Sequence, residues 1–261
     1  MRVVAVVATA GLVVIGAVVG ITLATRTDVP KHRPQGPPFA SDPTATADVR
    51  AAVREALAAW PTGTLRELRL LAVQRPRSAL VRFELGLALA LGGQSEDAKR
   101  AWRAAERAQP DSPSAVRAED ALHPEAPAGK PPFVASFARP RTTAERLLAR
   151  GIAFQAALRP VSAERAFAAA AHVAPDDPET QVAAAVGLYD KDRPAAAFSR
   201  LGPLARRFPR AQTVRFHLGL LLLYLRAFPQ ARKELALAVA AGPKTPLAKQ
   251  ARTLLKASQN A

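Results

Sequence analysis

The sequence predicts an all-α protein, a solenoid of helical hairpins preceded by a single transmembrane helix. Three observations carry that expectation: a composition built on Ala, a repeat 34 residues long, and one long uncharged segment at the start of the chain. Apolar residues make up 49% of the 261 positions while aromatics make up only 5%, and much of the remainder is Ala. Ala is the strongest helix former, so this profile suits closely packed helices. Strand-favouring residues gather in the first 25 positions and do not recur in alternating runs.

Residues 3–25 read VVAVVATAGLVVIGAVVGITLAT, 23 residues without a charge. A helix of that length spans roughly 34 Å, enough for a ~30 Å hydrocarbon layer with some tilt. The apolar stretch exceeds the length of a cleaved secretory signal, so the expectation is an uncleaved anchor comprising residues 1–25. Arg2 lies on one side of it and Arg26, Lys31 and Arg33 on the other, a weak bias towards a cytoplasmic C-terminal domain. Large domains cross membranes largely regardless of charge, and a stalk suits a domain held off a surface. The expected location is therefore the cytoplasmic membrane, single-pass, with the soluble domain outside the cytoplasm. Residues 26–44 hold Pro30, Pro34, Pro37, Pro38 and Pro43 and read as an extended spacer.

The repeat follows. From Gly86, Ala98, Trp102, Ala105 and Pro110 fall 12, 16, 19 and 24 residues on. The same offsets from Gly151 reach Ala163, Phe167, Ala170 and Pro175, and from Gly219 they reach Ala231, Leu235, Ala238 and Pro243. A weaker copy runs from Ala185 through Ala197, Leu201 and Leu204 to Pro209. Small residues let two helices of a hairpin approach, the bulky residue fills the space behind them, and Pro closes the second helix. Residues 79–122 also align with 212–255 at a constant shift of 133, VRFELGL against VRFHLGL, so each copy carries an extra helix, 113–122 or 246–257. Such helices suit the capping of a stack. The expected organisation is a first stack at 45–122 (45–78 degenerate, 79–112 clear), a Pro-rich linker at 123–140, and a second stack at 141–258 with units 144–177, 178–211 and 212–245.

A 34-residue unit with this G…A…F/W…A…P pattern resembles the tetratricopeptide-repeat (TPR) family, over about 170 residues. The resemblance implies a concave wall built from the first helix of each unit: Leu80, Phe83, Leu87 and Ala90; Glu145, Leu148, Ile152 and Gln155; Glu179, Val182, Val186 and Tyr189; Thr213, Phe216, Leu220 and Leu223. Most of these are apolar, which suits an apolar helix or an extended apolar peptide as partner. These positions hold no Lys or Arg and the only Asn is Asn260, so the carboxylate clamp of some TPR domains is not expected.

The chain has no Cys, excluding disulfides, zinc-thiolate centres and thiol nucleophiles. His32, His123, His172 and His217 lack metal-ligand spacing, and no nucleophile elbow or phosphate-binding Gly loop is present. No catalytic residue, cofactor or metal is expected. Two functions remain: a membrane-anchored scaffold or assembly factor that binds proteins, or a membrane-held binder of a polyanion (nucleic acid, anionic lipid or an acidic envelope polymer). The formal charge of +16 motivates the second.

Overall fold

Twelve α-helices, and no strand, form among residues 36–259, the part of the chain that the computed structural model describes. The anchor expected at residues 3–25 lies outside the described residues. Within them, no helix is long and apolar enough to cross a membrane.

The chain divides into two units, one comprising 36–129 with 158–160 and the other 130–157 with 161–259. The N-unit holds α1 (Ala47–Ala58), α2 (Thr64–Gln74), α3 (Ala79–Leu91), α4 (Ser95–Ala108) and α5 (Pro113–Leu122). The C-unit holds α6 (Thr143–Ala156), α7 (Pro160–Val173), α8 (Pro178–Gly187), α9 (Ala195–Arg207), α10 (Gln212–Tyr224), α11 (Phe228–Ala241) and α12 (Pro246–Ala257). The all-α hairpin solenoid expected from the repeat is what these residues form.

The repeat positions explain the hairpins. A Cβ built on Gly86 would stand 2.2 Å from the Trp102 indole, one on Gly151 2.2 Å from the Phe167 ring, and one on Gly219 2.7 Å from Leu235. The bulky side chain of each second helix thus lies directly on the bare backbone of the first. Ala98, Ala105, Ala170, Ala231 and Ala238 are fully buried beside these pairs. Helix ends follow the prolines: α4, α7, α9 and α11 stop two residues before Pro110, Pro175, Pro209 and Pro243. Pro disfavours the helical conformation for its predecessor, which fixes that interval. Starts are equally local. Ser112, Asp177 and Thr245 cap α5, α8 and α12 through their side-chain oxygens, each followed by Pro at the first helical position. Thr142 and Glu145 close a reciprocal capping box on α6.

The first helices of successive hairpins touch one another, α1 with α3 and α3 with α5 in the N-unit, and α6, α8, α10 and α12 in series in the C-unit. Each unit therefore has an inner wall of first helices. One departure lies in that wall. α8 ends at Gly187, so Leu188 to Pro194 form an irregular connection and Tyr189 stands beyond the helix. The position expected on the helical wall is thus supplied by a loop residue.

Candidate functional site

Across each inner wall runs an extended segment of the chain itself. In the N-unit the strap is residues 36–44, which the sequence places at the end of a spacer. Gly36 lies on the Trp60 side chain, where an added Cβ would come within 3.0 Å of the indole. Pro37 is buried, and the Phe39 ring takes the Arg54 guanidinium of α1 over its face at 4.6 Å. The Ala40 N–H donates to Glu84 Oε1 of α3 at 2.7 Å. The Ser41 carbonyl accepts from Arg117 of α5 at 2.7 Å, and Asp42 accepts from both the backbone N–H and the hydroxyl of Ser114 at the start of α5. The strap thus touches α1, α3 and α5 in turn.

In the C-unit the strap is residues 130–137. The Phe133 ring stacks on the His217 imidazole, 4.9 Å between centroids and 16° between planes, and meets the Phe167 ring edge-on at 5.4 Å. Phe133 is 2% exposed. Its N–H donates to Gln155 Oε1 of α6 at 2.9 Å, and the Val134 N–H donates to His217 Nε2 of α10 at 2.9 Å. The Ser136 N–H and hydroxyl both donate to the Glu179 carboxylate of α8. At the other end, Lys130 Nζ donates to the Tyr189 carbonyl at 3.0 Å and the Tyr224 hydroxyl donates to the Lys130 carbonyl at 3.3 Å. Tyr189, just beyond the end of the shortened α8, thus meets the Lys130 ammonium through its carbonyl.

The two straps are copies. Gly36-Pro37-Pro38-Phe39-Ala40 and Lys130-Pro131-Pro132-Phe133-Val134 align at a shift of 94. The acceptors of the N–H that follows the Phe, Glu84 and His217, occupy the same position of VRFELGL and VRFHLGL at the shift of 133. The same backbone donor, one residue after a Pro-Pro-Phe, therefore meets the same site of two different hairpins.

The electrostatics of the two acceptors differ. His217 is fully buried, and burial pushes it down to about 4. Its Nε2 accepts from Val134, so Nδ1 carries the proton and donates to the Thr213 carbonyl at 2.7 Å. Burial pushes the Glu84 carboxyl up to about 7, against the opposing help of the Ala40 N–H and nearby Arg117. Its second oxygen is buried without a partner. Burial works to raise Asp42, yet the bonds from Ser114 and Thr44 prevail and hold it below the usual carboxylate range.

Of the positions implied for the concave wall, Leu80, Phe83, Leu148, Val182, Val186, Tyr189, Phe216 and Leu220 are buried, while Leu87, Ile152 and Leu223 retain partial exposure. Four of the polar wall positions act directly on the C-strap or its anchor: Gln155, Glu179, Tyr189 and Thr213. Glu84 and His217 had no place in that set. Their signal in the sequence is the double occurrence of Pro-Pro-Phe, once before each stack. Among the described residues no group of three His or carboxylate side chains is placed to hold a metal.

No family model matches the chain, and no curated protein matches it. Among solved structures, it is similar to YrrB, described as a TPR protein with an unusual peptide-binding site, at 14% identity over 79% of this chain and 88% of that one, with a TM-score of 0.34. It is also similar to the APC/C hetero-tetramer Cut9–Hcn1, at 13% identity and a TM-score of 0.34, covering 80% of this chain and 42% of that one.

Proposed function

We propose that this protein is a membrane-tethered scaffold whose helical-hairpin units hold extended apolar segments of partner proteins, and that it catalyses no reaction. The observation that carries this reading is the pair of straps. Each inner wall already binds an extended, Pro-led segment through main-chain hydrogen bonds and one aromatic side chain, which is how a groove recognises a peptide. The uncharged stretch at residues 3–25 supplies the tether, and the soluble units are read as lying outside the cytoplasm.

Photo-crosslinkers placed at the half-buried wall positions Ile152 and Leu223, against a control at Leu237 on α11, test the reading in cells. Discrete protein adducts from the wall positions and none from Leu237 support it; adducts from Leu237 alone contradict it. Reporter fusions at the C-terminus, one active only outside the cytoplasm and one fluorescent only inside, test the orientation.

A second reading draws on charge. Residues 36–129 carry twelve Lys and Arg against twelve Asp and Glu, whereas residues 130–259 carry twenty-one against eight. With Arg159 counted in the N-unit, to which it belongs, the C-unit carries twenty Lys and Arg against eight Asp and Glu and so holds nearly all of the positive surplus. That asymmetry favours a polyanion as a ligand of the C-unit, with an affinity that falls steeply as salt rises. A salt-independent interaction would exclude it.

A further inference from the structure

The two straps define a ligand as well as a groove. The C-unit contacts the strap backbone at four places: the N–H groups of Phe133, Val134 and Ser136 and the carbonyl of Lys130. Main-chain contacts of this kind accept any extended peptide, so discrimination falls to the side chains. Pro131 is buried, and Phe133 fills the space between the Phe167 ring and the His217 imidazole. Consecutive prolines hold the peptide extended before it binds, which lowers the entropy lost on docking. The N-unit has a different acceptor, different neighbours and a different path beyond the anchor, yet it holds the same Pro-Pro-Phe-aliphatic sequence in the same register. Two inner walls with different linings thus hold one sequence.

We infer that the C-unit groove between Phe167 and His217 is a recognition site for a partner protein's extended Pro-Pro-Phe-aliphatic segment, and that the 130–137 strap is its resident occupant in cis. This rests on the scaffold reading above and names the chemistry of its partner. The strap is covalently attached, so its effective concentration is on the order of millimolar, and a partner segment must compete with it. Lys130 reaches the Tyr189 carbonyl, so a basic residue before the prolines adds to the fit.

The test is binding in trans. A fluorescein-labelled peptide with the sequence of residues 128–138 is titrated by anisotropy into the full-length chain in detergent, wild type and Phe133→Ala. The expected result is binding to Phe133→Ala at least tenfold tighter than to wild type, and at least tenfold weaker when the peptide's own Phe is replaced by Ala. No binding to a Phe133→Ala protein that keeps its helical circular dichroism overturns the proposal, as does equal binding of the Phe and Ala peptides. A second measurement needs no variant: a peptide with benzoylphenylalanine in place of Phe, irradiated at millimolar concentration with wild-type protein. Adducts on α7 and α10 support the proposal, and adducts confined to other surfaces overturn it. A wild-type dimer dispersed by Phe133→Ala would assign the groove to a second copy of this chain and also overturns it. Failure here with positive wall crosslinks in cells removes the Pro-Pro-Phe specificity and leaves the scaffold reading standing.

Discussion

The N-unit and the C-unit solve one problem with different chemistry. Each must accept a single backbone N–H at the same site of two matching hairpins. The C-unit uses a neutral imidazole, His217, with both ring nitrogens engaged, by Val134 on one side and Thr213 on the other. The N-unit uses a carboxyl, Glu84, with one oxygen engaged by Ala40 and the other buried without a partner. A neutral acceptor avoids the desolvation that burdens a buried charge. The ring that docks beside the anchor differs in parallel. Phe133 is buried among aromatic side chains, while Phe39 is half-buried under an arginine. The C-strap is therefore the firmer of the two, and it sits on the unit that carries the positive surplus.

The largest expected difference follows from the rings. Phe133→Ala should destabilise the C-unit by about 3–4 kcal/mol, because it empties a closed site. Phe39→Ala should cost the N-unit only about 1 kcal/mol, since that ring already meets solvent. Chemical denaturation of the two variants measures both, and equal losses would erase the distinction.

Next comes pH, where the two anchors run in opposite directions. Between about 4 and 6.5 the unfolded chain binds a proton at His217 that the folded chain does not. Stability of the C-unit is thus fully present above that window and falls as pH drops through it, by on the order of 3 kcal/mol. Glu84 has the reverse sign. Between 4.5 and about 7 the folded chain holds a proton that the unfolded chain has lost, so N-unit stability falls as pH rises through that window. Glu84→Gln should flatten the N-unit profile and raise its stability above pH 7. A denaturation series across pH for wild type and Glu84→Gln reads out both signs.

The smallest contrast concerns what lies beyond each anchor. Asp42 accepts two bonds from Ser114 in a buried setting, whereas the Ser136 bonds to Glu179 are exposed. Asp42→Ala should cost about 1–2 kcal/mol and Ser136→Ala about 0.5 kcal/mol, by the same denaturation measurement.

What the sequence revealed and what it hid divide along contact range. The pairs Gly86–Trp102, Gly151–Phe167 and Gly219–Leu235 lie sixteen residues apart and recur, so a period search finds them. The Pro-terminated helices are legible because the effect of Pro is local. The shortening of α8 was hidden, since Gly187 weakens a helix without dictating its end, and Tyr189 left the wall as a result. The docking of the 123–140 linker was legible in its apolar Phe133, Val134 and Phe137, whereas the contacts that hold the straps were hidden for a different reason. They have no periodicity of their own, and Ala40 reaches Glu84 across 44 residues while Val134 reaches His217 across 83. A whole hairpin more separates the second pair than the first, so the straps and their anchors repeat at different shifts. Only the duplicated Pro-Pro-Phe signals the relation.

Native-state hydrogen exchange at the Ala40 and Val134 amides tests the central claim most directly, because in both straps that one N–H meets the buried anchor. Protection of Val134 comparable to the amides of α10, with Ala40 protected to a lesser degree, is the result this account predicts. Exchange of both amides at the rate of an unstructured peptide would contradict it, leaving two repeat units with empty inner walls and no resident ligand.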